Sequence, residues 1–171
     1  SFGSPDSSEF EKDATLYASS LGCILVAAAG NNAHVTGYAG GIDFPAAYPW
    51  VIAVGATDRN DGRATFYIPM GDQMGIIVGG SQWGPELELV APGVDILSTV
   101  FQDGYDSFQG TSMATHHVAG VAALVKSRAE RWPEEPLATN PRHHLDNRQI
   151  RQVLIQSAVD LGSPGWDEEY G

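Results

Sequence analysis

The segment Gly110-Thr111-Ser112-Met113-Ala114-Thr115-His116-His117-Val118-Ala119-Gly120 joins a glycine turn to an apolar stretch without proline. The stretch predicts a helix over 112–131, buried nearly all round in its first turns, with Ser112 at its start. Free backbone N–H groups and the positive end of the dipole point outward at such a start. Ser112 is therefore suited to act as a nucleophile, because these N–H groups can stabilise an oxyanion on the attacked carbonyl. From this segment alone, a simple helix N-cap is the alternative role for Ser112.

A second informative segment is Ala27-Ala28-Ala29-Gly30-Asn31-Asn32, where the apolar run 23–29 stops. A continuous apolar run that stops at a glycine predicts a strand buried on both faces of a parallel sheet. Ligand sites of open α/β sheets collect at the carboxyl ends of their strands. The Asn31 amide could therefore donate to the same oxyanion as the Ser112 segment. The alternative is a turn residue that tolerates the left-handed region.

The remaining sequence predicts an α/β arrangement around these two segments. Apolar runs at 50–56 and 87–91 predict two further buried strands, and 95–98 with 105–108 predict a hairpin. Helical spacing predicts a final helix capped by Asp146 or Asn147, with an apolar face of Ile150, Val153 and Leu154. It also predicts an amphipathic helix over 10–20, with an apolar face of Phe10, Ala14, Leu16, Tyr17 and Leu21.

Composition narrows the classes of function. The chain has 171 residues, 43% of them hydrophobic and 18% charged, which is typical of a globular protein. Its net charge of −12 argues against nucleic acid or anionic membrane as a partner, because phosphates require clustered cations. One cysteine excludes an internal disulfide, and the longest apolar run is too short to span a bilayer. With no initiator Met and no signal-peptide pattern, we expect the chain to begin inside a longer protein or at a site of processing.

The segment around Ser112 resembles the serine motif of the subtilisin-like serine proteases, the subtilases. Residues 27–31 resemble that family's oxyanion-hole segment. The similarity continues collinearly through 48–49, 51–56, 63–66 and 84–93. The resemblance implies a three-layer α/β sandwich around a mostly parallel sheet, and a serine endopeptidase acting on polypeptides. A protease of this kind requires no cofactor, and the resemblance to the family suggests that it is secreted.

The resemblance also implies roles for individual residues. Ser112 matches the nucleophile that forms the acyl-enzyme, and Asn31 matches the side-chain donor of the oxyanion hole. Ser1-Phe2-Gly3 matches the segment that pairs with substrate and forms one wall of the primary specificity pocket. Ala28-Ala29-Gly30 matches the facing wall. Loss of one oxyanion donor lowers kcat by roughly 10²–10³, a range established on a member of this family, subtilisin.

Asp43 falls where the family has the floor of its primary pocket. A carboxylate there would favour Lys or Arg before the cleaved bond by ion pairing. The alternative is an Asp in a glycine-rich turn. The following Phe44–Pro45 bond is predicted to be cis by the same resemblance. A calcium or monovalent cation is a further expectation, on carbonyls and one carboxylate from Ala46, Tyr48, Val51 and Glu88.

The sequence departs from the family in its triad. The family order is Asp, then His, then Ser, and nothing before Asn31 resembles the first two motifs. We therefore expect residues 1–171 to be the C-terminal half of a catalytic domain whose N-terminal half is its missing partner. Without a general base, the isolated chain should be nearly inert.

None of the local histidines is a good substitute for the base. His116 stands where the family usually has proline, four residues after Ser112, and should pack along the helix instead of reaching past its start. His117 is expected to be a packing residue. The adjacent pair His143-His144 has poor metal-ligand spacing and is expected to be solvated.

Residues 67–80 have no counterpart in short subtilisins, and 76–78 could form a small surface hairpin. Two rivals to the protease interpretation remain. A non-catalytic pseudoprotease or binding module with the same fold would not need both Ser112 and Asn31. An α/β-hydrolase would carry G-x-S-x-G, whereas Ala114 replaces the final glycine here. Exposed strand edges are expected where the missing half would pack, with a hazard of self-pairing.

Overall fold

A three-stranded parallel sheet forms the centre of the fold in the computed structural model, which describes residues 3–35, 38, 40–70, 73–131 and 145–171. The elements in chain order are α1 (Glu9–Ser20), β1 (Val26–Ala28), β2 (Ile52–Thr57), β3 (Thr65–Met70), β4 (Gln73–Gly80), β5 (Leu89–Pro92), β6 (Ile96–Val100), β7 (Gly104–Phe108), α2 (Thr111–Arg131) and α3 (Asn147–Ser157). The sheet order is β1-β2-β5, with both pairings parallel. The predicted α/β class with a mostly parallel sheet is confirmed.

The strands alternate their side chains between two hydrophobic clusters, as the two-residue period of a strand requires. All six residues of β2 are buried, which explains why its sequence is continuously apolar. One cluster joins the sheet to α2 and α3 through Ile52, Val54, Ala56, Leu89, Ala114, Val118, Ala122, Ile150 and Leu154. The other joins it to the loop before β2 through Ala27, Ala29, Ala53, Ile42, Ala46, Tyr48, Val51 and Leu87.

Helix α2 is buried on one face only, so the expectation of burial nearly all round was wrong. Ala114 is fully buried against the sheet, but His116, His117 and Ala119 in the first turns are exposed, and so are Val121 and Leu124 further along. The physical reason is that the sheet and α3 cover one side of α2, and nothing in the described ranges covers the other.

The predicted helix near the N-terminus is present as α1, but its apolar face is not packed. No residue of α1 is buried, and Phe10 and Tyr17 are 85% and 67% exposed. A polar contact joins the helix to the fold instead, since the Trp50 indole N–H donates to Thr15 Oγ1 at 3.1 Å.

The predicted hairpin at 95–108 and the predicted cap of α3 are confirmed. Strands β6 and β7 form an antiparallel hairpin. Strands β3 and β4 form a second one, larger than the small hairpin expected at 76–78, and residues 76–78 lie within its strand β4. Asp146 caps α3 in a capping box with Gln149, and Ile150 and Leu154 are the buried residues of that helix.

Candidate active site

Thr111 holds the side chain of Asn31 beside the start of α2. The backbone N–H and the Oγ1 hydroxyl of Thr111 both donate to Asn31 Oδ1, each at 2.9 Å. Thr111 is itself fully buried, and its Oγ1 accepts from the Gly30 N–H at 3.3 Å. Because the amide oxygen is occupied, the Nδ2 group of Asn31 remains as a donor without a partner in the described chain.

Gly110 brings the backbone close to both predicted oxyanion donors. Its φ of +146° is unfavourable for residues with a side chain. A Cβ at this position would lie 3.6 Å from Asn31 Nδ2 and 3.8 Å from the Ser112 backbone N. These are ordinary van der Waals distances, so the positive φ, and not a lack of space, is what favours glycine at position 110.

A cleft of about 210 Å³ lies in front of this arrangement. Its lining residues come from four separate parts of the chain, and they are Gly3, Ala28, Gly30, Asn31, Asn32, Asp43, Thr111 and Ser112. The cleft thus unites the predicted nucleophile and amide donor with Gly3, Ala28, Gly30 and Asp43 of the predicted substrate pocket. Their roles stay predictions.

One residue of the predicted pocket walls, Ala29, does not line the cleft. Ala29 is fully buried behind it, where its carbonyl accepts from the Asp43 N–H at 2.9 Å. Ser1 and Phe2 lie outside the described residues. Gly3 is held near Asp43 because Ser4 and Phe44 exchange two backbone hydrogen bonds, at 3.0 and 2.8 Å. The Phe44–Pro45 bond is cis, as predicted.

Gln82 is a site residue that the sequence analysis missed. It is 3% exposed, and its Oε1 accepts from the Asn32 N–H at 3.0 Å. Its Nε2 donates to the Gly41 carbonyl at 3.1 Å and to Asp43 Oδ1 at 3.0 Å. The side chain thus ties the asparagine loop to the floor of the cleft. A glutamine in a glycine-rich stretch carries no sequence signal for such a role.

The histidines on α2 face away from the Ser112 hydroxyl. The ring of His116 bonds the Ser112 backbone carbonyl, with Nδ1 to O at 2.6 Å, and His117 bonds the Met113 carbonyl in the same way at 3.1 Å. Within the described part of the chain, no hydrogen bond joins Ser112 Oγ to an imidazole or a carboxylate. His143 and His144 lie outside the described residues.

Glu88, the carboxylate of the predicted cation site, is paired with Arg151. The Arg151 Nε donates to Glu88 Oε2 at 2.5 Å, and an NH2 group donates to Oε1. Burial raises the pKa of the Glu88 carboxyl above its ordinary value, although the bonds and charge of Arg151 lower it. The positive charge of Arg151 therefore already neutralises the Glu88 carboxylate that a cation would bind. A cation site formed by Glu88 with Ala46, Tyr48 and Val51 stays a prediction.

The described residues contain no group of three or more His, Cys, Asp and Glu side chains arranged to hold a metal ion. None of their helices is long and apolar enough to cross a membrane.

Several known proteins are similar to this chain over nearly its whole length. The chain is 43% identical to alkaline elastase YaB of Bacillus sp. (strain YaB), 42% identical to subtilisin Savinase of Lederbergia lenta and 44% identical to M-protease of Shouchella clausii (strain KSM-K16). Each alignment covers 95% of this chain. The chain spans only 35%, 49% and 34%, respectively, of the lengths of these relatives.

The sequence model of the Subtilase family matches residues 1–171. Since that match runs from the first residue to the last, and relatives above 40% identity align with nearly all of it, the chain belongs to the subtilase family.

Proposed function

We propose that the protein is a serine endopeptidase that hydrolyses peptide bonds through an acyl-enzyme on Ser112. The observation that carries the proposal is the Asn31 amide, whose oxygen is held by Thr111 so that its Nδ2 group is left to donate next to Ser112. A binding module would have no use for an amide donor oriented in this way beside a serine hydroxyl.

In the proposed reaction the Ser112 hydroxyl attacks a substrate carbonyl bound in the cleft. The carbonyl oxygen becomes an oxyanion that accepts hydrogen bonds from Asn31 Nδ2 and the Ser112 backbone N–H. The C–N bond then breaks, and the leaving amine takes the proton that the serine hydroxyl gave up. Water hydrolyses the resulting ester and regenerates Ser112.

The proton transfers need a general base. The described residues offer none in contact with the Ser112 hydroxyl, because His116 bonds a backbone carbonyl. We propose that a His and its orienting Asp come from a segment outside these 171 residues, the missing N-terminal half of the catalytic domain. The 171-residue chain alone is then nearly inert.

The substrate class follows from Asp43. Its carboxylate lies in the same cleft as Ser112 and Asn31, and its Oδ2 has no hydrogen-bond partner in the described ranges. A Lys or Arg side chain before the cleaved bond would supply a charge-assisted hydrogen bond there. We therefore propose polypeptides with a basic residue at that position as preferred substrates, and a secreted location for the enzyme.

The test is labelling with a fluorophosphonate probe, which reacts with activated serines. The full-length protein that contains these residues should be labelled, and its Ser112→Ala variant should not. The 171-residue chain should be labelled far more slowly. No labelling of the folded full-length protein would contradict the proposal and favour a pseudoprotease. Rapid labelling of the 171-residue chain would place the base within it, and His116→Ala would then identify that base.

A further inference from the structure

The hairpin β3–β4 ends against the backbone of the loop that carries Asn31. The Gly80 N–H donates to the Asn31 carbonyl at 2.9 Å, and the Gly80 carbonyl accepts from the Ala33 N–H at 3.2 Å. Asn32 and Gly80 thereby form a parallel bridge. The hairpin thus holds the backbone of the asparagine loop, whereas Thr111 holds the asparagine side chain.

This close approach depends on glycine at the end of β4. A Cβ at Gly79 would overlap the Asn31 carbonyl oxygen, and a Cβ at Gly80 would lie 2.5 Å from Cδ2 of His34. Both glycines are buried. A backbone atom is the obstacle at Gly79, so any side chain there would have to displace the Asn31 peptide or the hairpin.

The other strand of the same hairpin contacts the turn before the nucleophile. The Gln109 side-chain amide donates to the Tyr67 backbone carbonyl on β3. Gln109 is followed directly by Gly110, Thr111 and Ser112. One hairpin therefore contacts both loops of the candidate active site, one through each strand.

We propose that the β3–β4 hairpin is a brace that sets the position of the Asn31 amide relative to Ser112, with Gly79 and Gln109 as its positioning residues. The proposal rests on the proposed function, in which Asn31 is an oxyanion donor. A donor stabilises an oxyanion well only when it is held in place before the charge develops. Thr111 orients the amide, and the hairpin fixes the peptide from which that side chain projects.

The variant that tests the brace is Gly79→Ala in the full-length protein, with Gly120→Ala as its matched control. Both changes add one methyl group, but a Cβ at Gly120 meets no other atom of the described residues within 4 Å outside its own helix turn. Each change is made with Asn31 present and in an Asn31→Ala background, and kcat and KM are measured for a peptide substrate. A double-mutant cycle then separates an effect that passes through Asn31 from one that does not.

With Asn31 present, Gly79→Ala should lower kcat at least about tenfold and leave KM within about twofold. In the Asn31→Ala background the same change should alter kcat by less than about twofold, because the donor is already lost. Gly120→Ala should leave kcat unchanged in both backgrounds. An equal loss of kcat in the two backgrounds, or no loss in either, would overturn the brace. If Gly79→Ala does not fold, the same cycle is run with Gln109→Ala.

A second readout separates failure of the brace from failure of the proposed function. The side-chain amide resonance of Asn31 is followed by NMR in asparagine-labelled protein and assigned by its loss in Asn31→Ala. Gly79→Ala should shift that resonance and Gly120→Ala should not. If the wild-type protein proves inactive, the proposed function fails, but this shift still decides whether the hairpin positions Asn31. An unmoved resonance would overturn the brace whatever the activity.

Discussion

Thr111 gives two hydrogen bonds to one atom of Asn31, from its backbone N–H and from its Oγ1, both at 2.9 Å. The two residues are 80 positions apart in the chain. These two hydrogen bonds occupy the amide oxygen of Asn31 and leave its Nδ2 group as the donor. Thr111 thus orients the group proposed to stabilise the oxyanion.

Replacing Thr111 with Val should lower kcat without a matching change in KM. The change removes the hydroxyl bond to Asn31 and the acceptor for the Gly30 N–H, but keeps the backbone bond. We expect a loss of about tenfold, smaller than the roughly 10²–10³ known in subtilisin for outright loss of a donor. Steady-state kinetics on a peptide substrate measure it.

Thr111→Ser is the matched control, because it retains the hydroxyl. It should keep most of the wild-type kcat. Equal losses of kcat in the Val and Ser variants would show that the hydroxyl bond to Asn31 does not matter.

Gln82→Glu should destabilise the fold in a pH-dependent way. The change sets a second carboxyl against Asp43 Oδ1, which the Gln82 amide now approaches at 3.0 Å. Like charges this close raise the pKa of one carboxyl in the folded state. The folded protein then holds a proton more tightly than the unfolded chain, so the free energy of unfolding should fall as pH rises from acid to neutral. Urea unfolding at several pH values measures it.

Gln82→Met separates this charge effect from loss of the hydrogen bonds. Methionine fills a similar volume but leaves the Asn32 N–H without its acceptor. We expect a cost of about 1–3 kcal/mol, and methionine adds no titrating group. A Glu variant whose penalty stays constant with pH would contradict the proposed contact between the two carboxyls.

Asp43→Asn should change substrate preference more than overall activity. Loss of a charged hydrogen bond worth about 1.5–3 kcal/mol should lower kcat/KM by roughly 10–100-fold for peptides with Lys or Arg before the cleaved bond. Peptides with Leu at that position should be cleaved at nearly unchanged rates. A uniform decrease for both kinds of peptide would mean that Asp43 supports the fold and does not select the substrate.

Glu88→Gln should change how stability varies with pH. Burial raises the pKa of Glu88 above its ordinary 4.5, so the folded state favours the protonated carboxyl. The contribution of this group to the free energy of unfolding should therefore fall as pH rises from 4.5 through the raised folded pKa, and stay level above it. The unfolding free energy of wild type minus that of Glu88→Gln, from denaturant titrations, should decrease over that range. A wild type that gains stability relative to Glu88→Gln as pH rises would contradict the dominance of burial over the bond to Arg151.

Most of the fold could be predicted because its signals are local. The apolar runs that became β1 and β5 stop at Gly30 and Pro92, the run that became β2 stops before Asp58, and a strand buried on both faces needs such a run. The cap of α3 could be predicted because it uses residues three positions apart. The exposure of the apolar face of α1 could not be predicted. The same helical spacing of apolar residues fits a helix packed on the core and a helix that contacts the fold through a polar residue such as Thr15.

The site was predictable only in part. Ser112 and Asn31 stand in motifs that are continuous in sequence, and the structure brings them to one cleft with Asp43. Gln82 gave no signal, because its role consists of bonds to three partners 39 to 50 residues away. The contacts of the β3–β4 hairpin could not be predicted either, because they too join residues far apart in the chain.

The sequence alone determined the elements, the chemistry of the candidate residues and membership of the subtilase family, because each depends on neighbouring residues or on collinear similarity. Tertiary structure alone decided which atom of Asn31 is left to donate, how Asp43 is tied to the asparagine loop and which faces of α1 and α2 are exposed. Those features are contacts between segments far apart in the chain. Such contacts are set by packing and hydrogen-bond geometry, which no local pattern of residues encodes.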